Sequence, residues 1–178
     1  ERIFDAYENI KDEPKMLPEN PYRIIHVGRL VKWKKVDLII KAMSLLKNEF
    51  PNIELIVIGN GKEKENLKKL AQELSLHQNI KFVGGIYKNE ELGKYFLESS
   101  IYVLAGMGGL SINEAMAFGK PVICSVADGT EIRLVKDKYN GFYFKDDDAN
   151  DLADKIKILF KNPELVENFG KNSLNIIK

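Results

Sequence analysis

Ile101-Tyr102-Val103-Leu104-Ala105-Gly106-Met107-Gly108-Gly109-Leu110-Ser111-Ile112-Asn113-Glu114-Ala115-Met116-Ala117-Phe118 is the stretch on which the fold turns. Its first four residues are an apolar, β-prone run, its middle is a glycine loop, and a helical segment from Leu110 to about Phe118 follows. A strand, a glycine turn and a helix in that order form half of a parallel β/α crossover. The same unit repeats outward in both directions. Upstream, strands are expected at Arg23–Val27, Ile53–Ile58 and Ile80–Val83, with helices over 37–50, 62–74 and 89–98. The first of these helices directs Leu38, Ile39, Ala42, Leu45 and Leu46 inward, with Asp37 and Asn89 as candidate caps. Downstream come a strand at Pro121–Cys124, a short helix over 130–135, a last strand at Gly141–Phe144, and two helices separated near Pro163. Strands about 25 residues apart, each followed by a helix, imply a doubly wound α/β fold, Rossmann-like, with a parallel sheet covered on both faces.

Composition agrees with a single ordinary domain. The 178 residues are 44% hydrophobic and 30% charged, enough to bury a core without disulfide or metal support. Residues 1–21 are polar, carry Pro14, Pro18 and Pro21, and read as a linker or entry segment to a domain spanning 22–178. With 27 basic against 26 acidic residues, the net charge of +1 offers no field that would select nucleic acid. The lone cysteine, Cys124, lies in an apolar strand and pairs with nothing, and no stretch approaches the roughly 20 apolar residues of a membrane helix. A cytoplasmic protein is the default expectation.

In a doubly wound sheet, ligands sit beyond the carboxyl ends of the strands. The loops there open with Gly28-Arg29, Gly59-Asn60-Gly61, Gly84-Gly85, Gly106 to Gly109, and Ala127-Asp128-Gly129. Gly106, Met107, Gly108, Gly109 and Leu110 place backbone N–H groups at a helix start, where an anion is favoured; a tight turn needing positive φ explains the glycines equally well. Glu114, one turn into the helix, can accept both hydroxyls of a cis diol, or it is a solvated carboxylate supporting the helix terminus. Arg29 follows the first strand directly, and Lys34 stands in a loop with Lys32 and Lys35. Only four of the basic residues are Arg, and a guanidinium at a strand end suits phosphate oxygens.

Other nucleotide motifs fit poorly. Gly59-Asn60-Gly61 has two glycines of a dinucleotide fingerprint without the third, and Gly119-Lys120 is followed by Pro121, so no P-loop exists. His26 and His77 stand apart, without metal-ligand spacing; His26 either faces the sheet edge near Arg29 or is a core histidine, and the core reading is preferred.

Together these segments resemble the nucleotide-sugar-binding half of the retaining glycosyltransferases of family 4, which have the GT-B fold. Gly28-Arg29-Leu30-Val31 with Lys34 and Val36-Asp37-Leu38-Ile39 is similar to the family's first motif. Glu54 to Gly61 and Asn79 to Gly84 resemble its second and third strand turns. The stretch from Gly109 to Ile123 is the most specific, and Asp128-Gly129-Thr130-Glu131-Ile132 with Asn140-Gly141 completes the order.

The resemblance implies that Arg29 and Lys34 contact the diphosphate of a nucleoside diphosphate sugar and help its departure, and that Gly28 and the amides around Gly109 and Leu110 add phosphate contacts. Glu114 would hold the ribose hydroxyls, and the loop after Gly84 would lie near the nucleobase. It implies no metal and no other cofactor. Two departures stand out: Gly106 occupies the position of the family's first glutamate, as in a Gly-rich variant of the loop, and Lys35 stands where the family prefers Gly. A whole enzyme of this kind has two such domains, so the chain is expected to be the donor half, lacking the N-terminal acceptor domain and inactive alone. The resemblance leaves open peripheral attachment of the longer protein to the inner face of a membrane. A nucleotide-sugar epimerase domain and a non-catalytic nucleotide-binding module are the alternatives.

Overall fold

The computed structural model describes residues 3–10, 18–126 and 129–178. Six strands form one sheet: β1 (Arg23–Val27), β2 (Glu54–Ile58), β3 (Ile80–Gly84), β4 (Ile101–Leu104), β5 (Val122–Cys124) and β6 (Gly141–Tyr143). Every pairing is parallel and the order is β3-β2-β1-β4-β5-β6, which the sequence anticipates as a doubly wound sheet. Both faces are buried, so strand residues alternate between two cores. Ile24, Leu55, Val57, Ile101, Val103 and Ile123 enter one; Ile25, Ile56, Ile58, Tyr102, Leu104, Val122 and Cys124 enter the other.

The first core is closed by α2 (Val36–Leu46), α3 (Lys64–Glu73) and α7 (Ala149–Phe160). The second lies under α1 (Ile3–Ile10), α4 (Asn89–Leu97) and α5 (Leu110–Ala117), with α6 (Thr130–Leu134) and α8 (Pro163–Ile177) beside α5. Among the described residues, no helix is long and apolar enough to cross a membrane.

Four local expectations are corrected. Residues 3–10 are a helix, not irregular chain; all the prolines of the segment come after it, and Ala6 is fully buried while Tyr7 packs edge-on against Phe118 at 5.8 Å. Helix α2 ends at Leu46, and Leu45 is 53% exposed while Ile40 and Met43 take inward positions. Asp37 caps nothing: the N-cap is Lys35 at φ 50°, and Asp37 instead pairs with Lys41 at 3.1 Å. At Asn89 the helix has already begun, with Lys88 at the N-cap.

The left-handed conformation of Lys35 gives a physical reason for the glycine that the family resemblance supplies there. Lys35 is held in that geometry by Asp146 at 2.7 Å and Asp147 at 2.9 Å, which join the β6–α7 loop to the start of α2.

Lys120, between α5 and β5, is fully buried and donates to the Ser99 carbonyl at 2.7 Å, while its own carbonyl accepts from Ser173 on α8 at 2.8 Å. Burial lowers its amine to about 8. The unfolded chain keeps this proton up to the usual lysine range, so between the two values it binds more protons than the folded protein, and stability rises with pH. A gain on the order of 2 kcal/mol between pH 8 and pH 10 is expected in urea titrations. Lys120→Met should flatten that slope; a variant with the parent slope removes Lys120 as its source.

Candidate functional site

Crossovers leave β1 and β4 in opposite directions, so the switch point of the sheet lies between them. Their ladder pairs only Ile24 with Ile101 and Ile25 with Tyr102, and the space beyond the carboxyl ends of the two strands is the crevice in which a doubly wound sheet takes its ligands. The loop after β1 crosses to the loop after β4, where the Met107 amide donates to the Trp33 carbonyl at 3.0 Å. Gly106 is buried at this crossing. A Cβ on it would stand 1.9 Å from the Trp33 carbonyl oxygen and 2.8 Å from the Lys34 Cα, so only glycine fits. The Lys34 ammonium lies over the same loop, 2.2 Å from where a Cβ on Gly108 would be, and Gly108 has φ +138°. Arg29, at the end of β1, is exposed and makes no ion pair among the described residues.

Helix α5 starts at Leu110, directly beyond this cationic loop. Gly108 and Gly109 are partly exposed and Leu110 is 84% exposed, so the helix opens toward the crevice mouth. Glu114 is half-buried one turn in, and burial pushes its carboxyl above the usual range. Behind it the Tyr102 hydroxyl donates to Ser111 Oγ, which fixes the first turn of α5 to β4. Thr130, at the start of α6, packs on Gly109, its Cγ2 lying 2.6 Å from where a Cβ would be. The pattern of the sequence carries no signal for this contact, because it joins loops of two different crossovers.

The structure brings Gly28, Lys34, Gly106, Met107 and Gly108 together where the β1 and β4 loops meet, and Gly109 and Leu110 lead from there into α5; Arg29 follows Gly28 in the chain, and Glu114 lies one turn into the helix. Two roles change. The Met107 amide is engaged by Trp33, leaving Met107 to offer its side chain at the rim, 45% exposed, and Gly106 is a packing residue of the crevice floor. Gly84 stands farther out: its carbonyl accepts from the Gly59 amide at 2.8 Å, and the β2 loop separates it from Gly28. Gly59 and Gly61 are packing residues too, because a Cβ on either would fall 1.9 Å from the Gly28 carbonyl oxygen or 2.2 Å from that of Leu30. Ala127 and Asp128 lie outside the described residues.

His26 is fully buried, as a core histidine should be, but it lies on the crevice floor: its Nε2 is 3.4 Å from where a Cβ on Gly28 would be. His77 is exposed and far along the chain from the crevice loops. A cavity of about 360 Å³, lined by Lys32, Lys35, Asp37, Glu63 and Asp147 among others, lies behind the β1–α2 loop and includes none of the crevice residues.

A six-stranded parallel sheet with helices on both faces and glycine-rich loops at its switch point defines a Rossmann-like domain of the kind that forms the C-terminal half of GT-B enzymes. The family profile described as "Glycosyl transferases group 1" matches residues 8–175, and the chain belongs to that family. It is 35% identical over 182 aligned residues to an uncharacterized glycosyltransferase of Methanocaldococcus jannaschii, covering 98% of this chain and 46% of that protein. Among solved structures, Staphylococcus aureus TarM crystallised with fondaparinux, alpha-GlcNAc-glycerol and UDP superposes with a TM-score of 0.84 at 25% identity, over 92% of this chain and 33% of that one. The C-terminal domain of a group 1 glycosyl transferase from Francisella tularensis gives a TM-score of 0.79 at 24% identity, over 99% of this chain and 91% of that one. The chain spans less than half the length of the curated relatives it matches.

Proposed function

We propose that the chain is the donor-binding half of a retaining glycosyltransferase, which moves a sugar from a nucleoside diphosphate to an acceptor bound by a separate N-terminal domain. The observation that carries this reading is the placement of the Lys34 ammonium over the glycine loop that leads into α5. The Lys34 ammonium and the helix terminus meet at one region, which suits a diphosphate, and the exposed Arg29 at the end of the β1 loop is assigned to the same group. As the bond to the sugar breaks, negative charge grows on the leaving diphosphate, and Lys34 and Arg29 stabilise it there. No metal ion is invoked in this scheme.

Glu114 accepts hydrogen bonds from the ribose hydroxyls in the same scheme, and its half-buried position shields that contact from water. UDP is the first nucleotide to test, because it is the one bound in the TarM structure. The longer protein acts in the cytoplasm or at the inner face of a membrane in this reading. Glu114→Ala is expected to weaken nucleotide binding by about 1.5–3 kcal/mol, the range for hydrogen bonds to a charged group. Calorimetry that finds equal affinity in parent and variant removes Glu114 from the ribose.

Gly106 favours one other reading, a module that binds a nucleotide without transferring sugar, since it leaves no carboxylate at that point of the crevice. A full-length protein that binds donor yet neither hydrolyses nor transfers it would establish that reading.

A further inference from the structure

The next β1 residue after the last ladder pair with β4 is His26, and its Nδ1 lies 3.1 Å from the Val103 carbonyl of β4. A carbonyl only accepts, so Nδ1 carries the proton and Nε2 presents a lone pair. That Nε2 is buried and has no hydrogen-bond partner, a state that native interiors seldom leave unanswered. It faces the space left by the missing Cβ of Gly28. A Cβ there would be 3.4 Å from Nε2 on one side and 3.7 Å from the Lys34 Cε on the other.

We propose that His26 is a positioning residue for Lys34: its Nε2 lone pair, fixed on the crevice floor by Val103, attracts the Lys34 ammonium and keeps that side chain along Gly28 and over Gly108. The proposal rests on the donor-site reading for its consequence, since Lys34 placed in this way meets the diphosphate. β2 presents Val57 beside His26 and β4 presents Val103, so the charge that acts on the ring is that of Lys34. Burial, with Lys34 as a further cause, lowers the imidazole to about 4, and the ring is neutral at physiological pH. A protonated imidazole would repel the ammonium; a neutral one with its lone pair turned outward does the reverse.

The test separates the two nitrogens. His26→Asn keeps a donor near the Nδ1 position for Val103 and removes the acceptor, whereas His26→Gln reaches far enough to restore an oxygen near the Nε2 position. On the 178-residue chain, the ratio of affinities for UDP over uridine is measured by calorimetry, with GDP over guanosine and ADP over adenosine alongside. In parallel, the Lys34 ε-amine is titrated by NMR without ligand, its resonance assigned from Lys34→Ala.

His26→Asn is expected to lower the diphosphate-over-nucleoside ratio about tenfold, toward that of Lys34→Ala, and to lower the Lys34 titration midpoint. The double variant should lose no more than Lys34→Ala alone, and His26→Gln should recover part of both effects. An unmoved Lys34 midpoint and a parental ratio in His26→Asn overturn the proposal while leaving the donor site standing. A parental ratio in Lys34→Ala overturns the diphosphate reading and the consequence drawn from it, and the ligand-free titration then judges the coupling of His26 to Lys34 by itself.

Discussion

Gly106→Glu, which returns to this loop the carboxylate that the family resemblance supplies, is expected to loosen the crevice and to confer no new activity. A Cβ at this position meets the Trp33 carbonyl oxygen at 1.9 Å and the Lys34 carbonyl carbon and Cα at 2.8 Å, all of them backbone atoms that cannot turn aside as a side chain would. The hydrogen bond from the Met107 amide to Trp33 ties the same two loops together, so pushing them apart breaks it as well. Overpacking against backbone places the cost near the upper end for such changes, about 3 kcal/mol. In a chain of this size that corresponds to a fall in Tm of roughly 10 °C. Gly106→Ala should show most of the same fall, because the first added carbon already collides. A Gly106→Glu protein that melts with the parent would mean the two loops do not meet as described.

Lys34→Ala is expected to weaken binding of a nucleoside diphosphate about 10- to 100-fold and binding of the matching nucleoside hardly at all. The asymmetry follows from position. The ammonium lies over Gly108 at the entrance to α5, where phosphate oxygens are favoured by both the charge and the helix terminus, and in the proposed scheme the ribose is held by Glu114 instead. Lys34 is only half-buried, so the fold should lose under about 1 kcal/mol. Paired calorimetric titrations with UDP and uridine measure this directly, and equal losses for both ligands would take the lysine away from the phosphates.

The sheet was legible because its inner strands are short apolar runs buried on both faces, so Arg23–Val27 and Ile101–Leu104 can be read to the residue. Helix edges were less so. Asp37 has the chemistry of a cap, yet Lys35 turns left-handed under its ion pairs to the β6–α7 loop and takes the position first. Residues 3–10 looked irregular because prolines crowd the segment, although none falls within those eight residues.

Of the site, the charged and glycine positions at strand ends were readable from β/α order alone, because that order places all such ends along one edge. Contacts between loops far apart in the chain were not. Thr130 on Gly109, Trp33 on Met107, and Gly59 against Gly28 depend on how three crossovers lie side by side. For the same reason Gly59-Asn60-Gly61, which resembles part of a nucleotide fingerprint, serves close packing of two loops, and His26 reads as core until the loop that carries Gly28 and Lys34 shows what lies above it.

The most direct test of the donor-site assignment is to follow the backbone amides of the 178-residue chain by NMR while UDP, GDP and ADP are added in turn. The assignment predicts that at least one of them shifts the amides of Gly28, Arg29, Gly108, Gly109 and Leu110 together with that of Glu114, and leaves those of Lys32, Glu63 and Asp147 around the separate cavity in place. Shifts confined to the cavity, or no shift at the crevice with any of the three nucleotides, would contradict it.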